Sequence, residues 1–177
     1  MLLIGNIVVA LLLSFSVIII GLFDLLPATY EGNQTEMGVM FSILIDYAIF
    51  AFIINLIREI VKDMEDVEGD YNNGMSTLPI AIGLGKTSII VGVLGIIATL
   101  ILLWYINSNL MSSKLYYAVI YGLLFVVAPM IFFVVKVWSA KTKEEFRFLS
   151  TVLKWIIFFG ILSILVVNLN IMQNVKG

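Results

Sequence analysis

Long apolar runs alternate with short polar breaks along the whole chain, and that alternation predicts five helices. Apolar residues dominate 2–23, 37–57, 87–106, 115–135 and 152–171. At 1.5 Å rise per residue, about 20 such residues cross the ~30 Å hydrocarbon core of a bilayer, so each run is long enough to span it. The breaks have loop chemistry: Pro27, Gly32 and Asn33 in the first, Gly69, Asn72, Asn73, Gly74 and Pro79 in the second, and polar stretches at 107–114 and 136–148. No tandem repeat or low-complexity tract interrupts the pattern. The first run lacks the basic leader and small-residue cleavage pattern of a secretory signal and is read as a mature span. The expected architecture is all-α, a polytopic membrane helix bundle of five transmembrane helices forming one domain over 1–177, with its termini on opposite sides.

Composition agrees with that reading and narrows the chemistry. The chain is 62% hydrophobic and only 12% charged, with a mean hydropathy of +1.12, whereas ordinary globular domains are roughly 45–50% apolar and about 25% charged. It has no Cys and no His, which excludes a disulfide framework, a zinc site of the usual kind, a thiol nucleophile and an imidazole base. Carboxylates, amides, hydroxyls, Lys and Arg must carry any chemistry. Ten Lys+Arg against twelve Asp+Glu give a net charge of -2, which excludes a nucleic-acid-binding field. Arg58, Lys62, Lys86, Lys136, Lys141, Lys143, Arg147 and Lys154 fall on the side of the amino terminus, and Lys114 and Lys176 on the other. By the positive-inside rule the first side is cytoplasmic.

The charges concentrate after the second span. Glu59, Asp63, Asp66 and Asp70 are spaced +4, +3 and +4, which places them on one face of a helix leaving the membrane, and Asn55 extends that stripe toward the hydrocarbon. Like charges at this spacing repel by roughly 0.2–0.5 kcal/mol per pair, and a bound cation would reverse the sign. Hard oxygen ligands of this kind suit Mg²⁺, which takes one or two carboxylates and fills its remaining positions with water and phosphate oxygens. Arg58 and Lys62 project from an adjacent face as candidate phosphate contacts. The alternatives are that the segment is a solvated helix end and that Asn55 makes an interhelical hydrogen bond. Asp46 lies near the outer end of the second span, where it is expected to snorkel to the interface.

The residues Arg58-Glu59-Ile60-Val61-Lys62-Asp63-Met64-Glu65-Asp66-Val67-Glu68-Gly69-Asp70, followed by Gly74 and Thr77-Leu78-Pro79, resemble the second aspartate-rich motif of the UbiA-type intramembrane prenyltransferases. The form is most similar to the geranylgeranylglycerol-phosphate geranylgeranyltransferase branch. Leu3-Ile4-Gly5-Asn6 also resembles the opening of that family's fifth helix. The resemblance implies that the five spans correspond to helices five to nine of a nine-helix bundle, and that 58–79 is a cytoplasmic aspartate-rich segment. It implies transfer of a prenyl group, of geranylgeranyl type, from a prenyl diphosphate to a small or lipid acceptor, in lipid or quinone biosynthesis. Asp66, Asp70 and Asp63 would be catalytic. Mg²⁺ would be held by Glu59, Asp63, Asp66 and Asp70, and Arg58, Lys62 and Asn55 would bind substrate.

The family's first motif, of the form N-D-x-x-D, has no counterpart, since no Asn-Asp pair occurs in the 177 residues. The expectation is therefore that activity requires an amino-terminal half-protein in addition to membrane lipid, the diphosphate and the acceptor. The alternative is a non-catalytic, degenerate fragment that keeps the fold. The expected setting is integral to a bacterial or archaeal cell membrane. Residues 141–148 are read as a positive-inside anchor, with binding of acceptor or anionic head groups as the other use. Trp104, Tyr105, Tyr116, Tyr117, Trp138 and Trp155 are read as the interfacial aromatic belt.

Overall fold

The computed structural model describes residues 3–176, and side chains of 3–173. Leu2, where the first predicted span begins, and the side chain of Lys176, counted above on the far side, lie outside the described residues. The described chain is helical: α1 (Ile4–Leu25), α2 (Gln34–Glu65), α3 (Val67–Asn72), α4 (Leu78–Ile82), α5 (Leu84–Tyr105), α6 (Tyr116–Gly122), α7 (Ala128–Val137) and α8 (Lys143–Lys176). Five of its helical segments are long and apolar enough to cross a membrane. Two π-helical segments, Ile106–Met111 and Leu123–Val127, extend α5 and join α6 to α7. The second ends two residues before Pro129, whose missing N–H removes one intrahelical bond and favours a wider turn upstream.

Helices α2, α5, α6–α7 and α8 pack into a four-helix bundle, and α1 packs on α2 alone among the described residues. The core lies in the half of the bundle nearest the acidic segment. Ile54, Ile57, Ile60, Val61 and Met64 of α2 meet Val91 and Ala98 of α5, Met130, Phe133 and Val137 of α7, and Phe146, Leu149, Leu153 and Ile156 of α8. The outward faces are apolar, as Phe15, Ile20, Leu100, Leu124, Val135 and Leu165 illustrate, and this is the surface a lipid solvent accepts and water does not.

Two helices run well past their predicted spans. Helix α2 has 32 residues, roughly 48 Å at 1.5 Å each, against a hydrocarbon core of about 30 Å. Its surplus is the polar stretch from Arg58 to Glu65. Helix α8 likewise begins at Lys143, before its apolar part. Its start is a capping box: Thr142 N–H donates to the Glu145 carboxylate (2.9 Å) and Glu145 N–H donates back to Thr142 Oγ1 (3.3 Å). The two polar extensions lie side by side at one end of the bundle. At the opposite end Asn170 of α8 accepts the N–H groups of Tyr117 and Ala118 (3.1 and 3.3 Å), satisfying orphan donors in the first turn of α6.

Candidate functional site at the break between α2 and α3

The acidic stripe does not continue along one straight helix. Helix α2 stops at Glu65, Asp66 adopts φ -102° and ψ 16°, and α3 begins at Val67. The bonds Asp66 N–H to Lys62 O (3.0 Å) and Asp70 N–H to Asp66 O (2.9 Å) run through the break, so it is a kink. Helix α3 then ends in a Schellman turn, with Met75 N–H on Asp70 O (2.9 Å) and Gly74 N–H on Tyr71 O (3.1 Å). This turn needs the φ of +67° at Gly74, which explains the glycine at that place in the motif. Pro79 lies in the first turn of α4, where its lack of an N–H costs nothing, and Leu78 reaches the core. The motif's small and cyclic residues thus fold the acidic segment back over the bundle end.

Each predicted residue now has a place. Glu59 is held by its neighbours, 3.2 Å from Arg58 Nη1 and 3.0 Å from Lys62 Nζ. Asp63 Oδ2 accepts a 2.7 Å hydrogen bond from Asn6 Nδ2 of α1. Asp66 Oδ1 lies 3.1 Å from Lys143 Nζ, and Glu65 Oε1 2.8 Å from Arg147 Nε, both on α8. The Asp70 carboxylate has no hydrogen bond or ion pair among the described residues. Residues 58–65 extend beyond the apolar span, and there burial pushes the Asp63 carboxyl above its ordinary range; the Asn6 bond opposes this, while the charges of Asp70 and Glu59 add to it. Asn55 is buried and turns back on its own helix, donating to Ala51 O at 2.9 Å, so the interhelical bond considered for it is not made.

Sequence reasoning missed Asn6, Lys143, Arg147 and Glu65 as members of this cluster. It also missed a cavity of about 250 Å³ toward the other end of the bundle, lined by Phe50 and Ile53 of α2, Leu102 and Tyr105 of α5, Gly122 and Ser163 among others. Tyr47 O–H meets Ser163 Oγ there at 2.6 Å. Tyr105, expected in the aromatic belt, and Asp46, expected to snorkel outward, both line this cavity.

The donor set can be tested against Mg²⁺. Among the described residues no three carboxylates converge on a point that could hold a metal ion by themselves. The Asp70 carboxylate and the second oxygen of Asp63 are uncommitted cation ligands, and the buried Arg58 Nε–H, without a hydrogen-bond partner among the described residues, is a donor open to a phosphate oxygen. That set fits a cation that arrives with phosphate oxygens and needs only one or two carboxylates, and it does not fit a resident ion in an all-protein cage.

A family model described as VviA prenyltransferase matches residues 29–146, two thirds of the chain and the whole of the α2–α3 break. The chain belongs to this prenyltransferase family. Among its curated relatives, the digeranylgeranylglyceryl phosphate synthase of Methanosphaera stadtmanae is 30% identical over 131 residues, 73% of this chain and 40% of that protein. The protein of the same name from Pyrococcus horikoshii is 36% identical over 113 residues, covering 51% of this chain and 41% of its own. The one from Thermococcus gammatolerans is 39% identical over 93 residues, 52% and 29% respectively. The chain thus spans less than half the length of these relatives. No solved structure matches it.

Proposed function

We propose that these helices form the diphosphate-ionising side of a prenyl transfer site, working with a complementary aspartate motif from an amino-terminal half. The observation that carries this reading is the α2–α3 break. It gathers Asp63, Asp66 and Asp70 with Arg58 and Lys62 at one bundle end, within a region that matches the prenyltransferase family. In this reading Asp66 and Asp70, assisted by Asp63 and Glu59, hold Mg²⁺ on a prenyl diphosphate. When bound, the metal acts as a Lewis acid on the leaving diphosphate. Arg58 and Lys62 hold phosphate oxygens, Arg58 through a fork whose Nε is still unpaired. Asn55, one turn from Glu59, supports the substrate from the apolar side.

The allylic C–O bond breaks with its electron pair leaving on the diphosphate, and a nucleophilic oxygen of the acceptor attacks the carbocation and loses its proton. Apolar span residues keep water from that cation, and the apolar wall of the cavity suits isoprenoid carbon. The relatives' names point to geranylgeranyl diphosphate as donor and a digeranylgeranylglyceryl phosphate as product. In this reading the motif end faces the cytoplasm, where the diphosphate is available.

A second reading, a fold kept without catalysis, draws support from the absence of three converging carboxylates among the described residues. Co-expression with a four-span half carrying an N-D-x-x-D motif separates the two. Membranes holding both halves should transfer label from geranylgeranyl diphosphate in the presence of Mg²⁺, and Asp66→Asn should lower the rate by at least about a hundredfold, the effect of losing one strong charge-stabilising group. Unchanged transfer by Asp66→Asn would refute the metal assignment, and no transfer by the wild-type pair would favour the second reading.

A further inference from the structure

A positive-inside anchor accounts for cations at the start of α8 but not for two of them being seated against the α2 break. Lys143 and Arg147 are four residues apart on α8, hence on one face, and they reach Asp66 and Glu65 at the α2 break. The first turn of a helix carries partial positive charge and favours acidic residues, a preference that Glu144 and Glu145 satisfy. The donors there are already engaged, because Glu145 accepts the Lys141 and Thr142 N–H groups at 2.8 and 2.9 Å. Helix α8 therefore gains nothing from Lys143 in this turn, or from Arg147 one turn further on. The ion pairs add little stability either, since the side chains of Lys143, Asp66 and Arg147 are 59%, 57% and 65% exposed, and exposed pairs contribute about 1 kcal/mol at most.

We propose that Lys143 and Arg147 are diphosphate-binding residues of this site, held before substrate arrives as counter-ions of Asp66 and Glu65. The inference rests on the prenyl-diphosphate reading above and adds α8 to it. Arg58 and Lys62 approach the break from α2 and share a single carboxylate, Glu59, and Lys143 and Arg147 add positive charge from the facing helix. Both are long, exposed and tethered only by their ion pairs. When the diphosphate arrives with its cation, Asp66 exchanges the ammonium for that cation and Lys143 turns to phosphate oxygens. Arg147 offers a planar fork to the same group. Asp66 and Lys143 each keep an opposite partner through the exchange, and Arg147 keeps Glu65 on its Nε while its Nη groups reach the phosphate.

The test uses the full chain in detergent, titrated calorimetrically with Mg²⁺ and with inorganic pyrophosphate at saturating Mg²⁺. Lys143→Gln removes the competitor for Asp66 and should tighten Mg²⁺ binding, up to about fivefold. It should weaken pyrophosphate binding about tenfold, as should Arg147→Gln. A purely structural role would not split the two ligands in opposite directions. Lys143→Arg should restore pyrophosphate binding, and Lys141→Gln, the same charge change in the adjoining loop, should move neither affinity beyond about twofold. Pyrophosphate affinities of Lys143→Gln and Arg147→Gln equal to that of Lys141→Gln would overturn the inference and leave the prenyl reading standing. A wild-type chain that binds no pyrophosphate with Mg²⁺ even when co-purified with the four-span half would overturn both.

Discussion

Alanine at Gly92 tests how α7 delivers the loop before α8 to the aspartate motif. Gly92 and Gly95 lie one turn apart on the face of α5 that meets α7. A Cβ at Gly92 would run into Trp138 Nε1 and stand 2.8 Å from Cε2, and one at Gly95 would stand 2.8 Å from Val134 Cγ2 and 3.4 Å from Phe133 Cε1. Carbon pairs prefer about 3.5–4.0 Å, so α7 must withdraw by the better part of an ångström or the indole must leave its place. Overpacking of this kind costs about 1–3 kcal/mol, and the better helix propensity of Ala returns about 1. The balance leaves Gly92→Ala destabilised by up to about 2 kcal/mol net. Gly160 in α8 has nothing within 4 Å of its Cβ position, so Gly160→Ala keeps only the propensity gain, about 1 kcal/mol of stabilisation. Thermal unfolding in one detergent, followed by circular dichroism, should separate the two variants by several degrees in opposite directions from wild type. Coincident midpoints would refute the close α5–α7 packing, and with it the route by which α7 positions Lys143.

Two further substitutions probe the ends of the bundle. Ile57→Ala removes a fully buried side chain from the core beneath the motif and should cost about 2–5 kcal/mol in unfolding free energy; a loss under 1 would mean that this core is loosely packed. Asn170→Ala leaves the Tyr117 and Ala118 N–H groups without their acceptor and should cost about 1–3 kcal/mol, with faster hydrogen exchange confined to the first turn of α6 as its signature.

How much of this was legible follows from which forces act locally. The five spans were readable because a bilayer imposes run length on every helix that crosses it, and the turn after the motif was readable because Gly74 and Pro79 have conformations that few other residues share. The extents of α2 and α8 were not. Charge lowers hydropathy at 58–65 and 143–151 without ending the helix, since Glu, Lys and Arg are good helix formers. The break at Asp66 follows from no single residue. The partners of the carboxylates were invisible for another reason: Asn6 is 57 positions from Asp63 and Lys143 is 77 from Asp66, and only tertiary packing brings them together. The wall of the cavity, drawn from α2, α5, α6 and α8, has the same origin.

Those partners divide the carboxylates of the motif into two kinds. Glu59, Glu65 and Asp66 each face a cation, whereas Asp63 faces a neutral amide and the carboxylates of Glu68 and Asp70 have no hydrogen bond or ion pair among the described residues. An amide fixes a carboxylate in direction without supplying a counter-charge, so Asp63 stays oriented and unneutralised by a direct partner, one turn from the break. That orientation depends on α1, which crosses α2 in antiparallel register through Asn6 on Asp63, Ser14 Oγ on Ala48 O (2.8 Å) and Gly21 against Leu44. The small residues at the last two contacts let the helices approach closely enough for Asn6 to reach across. Half-burial and the nearby charges of Asp70 and Glu59 make the ionised form of Asp63 costly while no cation is present. The electrostatic demand for positive charge is therefore greatest between Asp63 and Asp70, where the nearby charge of Lys62 offsets only part of the repulsion, and an incoming cation would relieve most of it there.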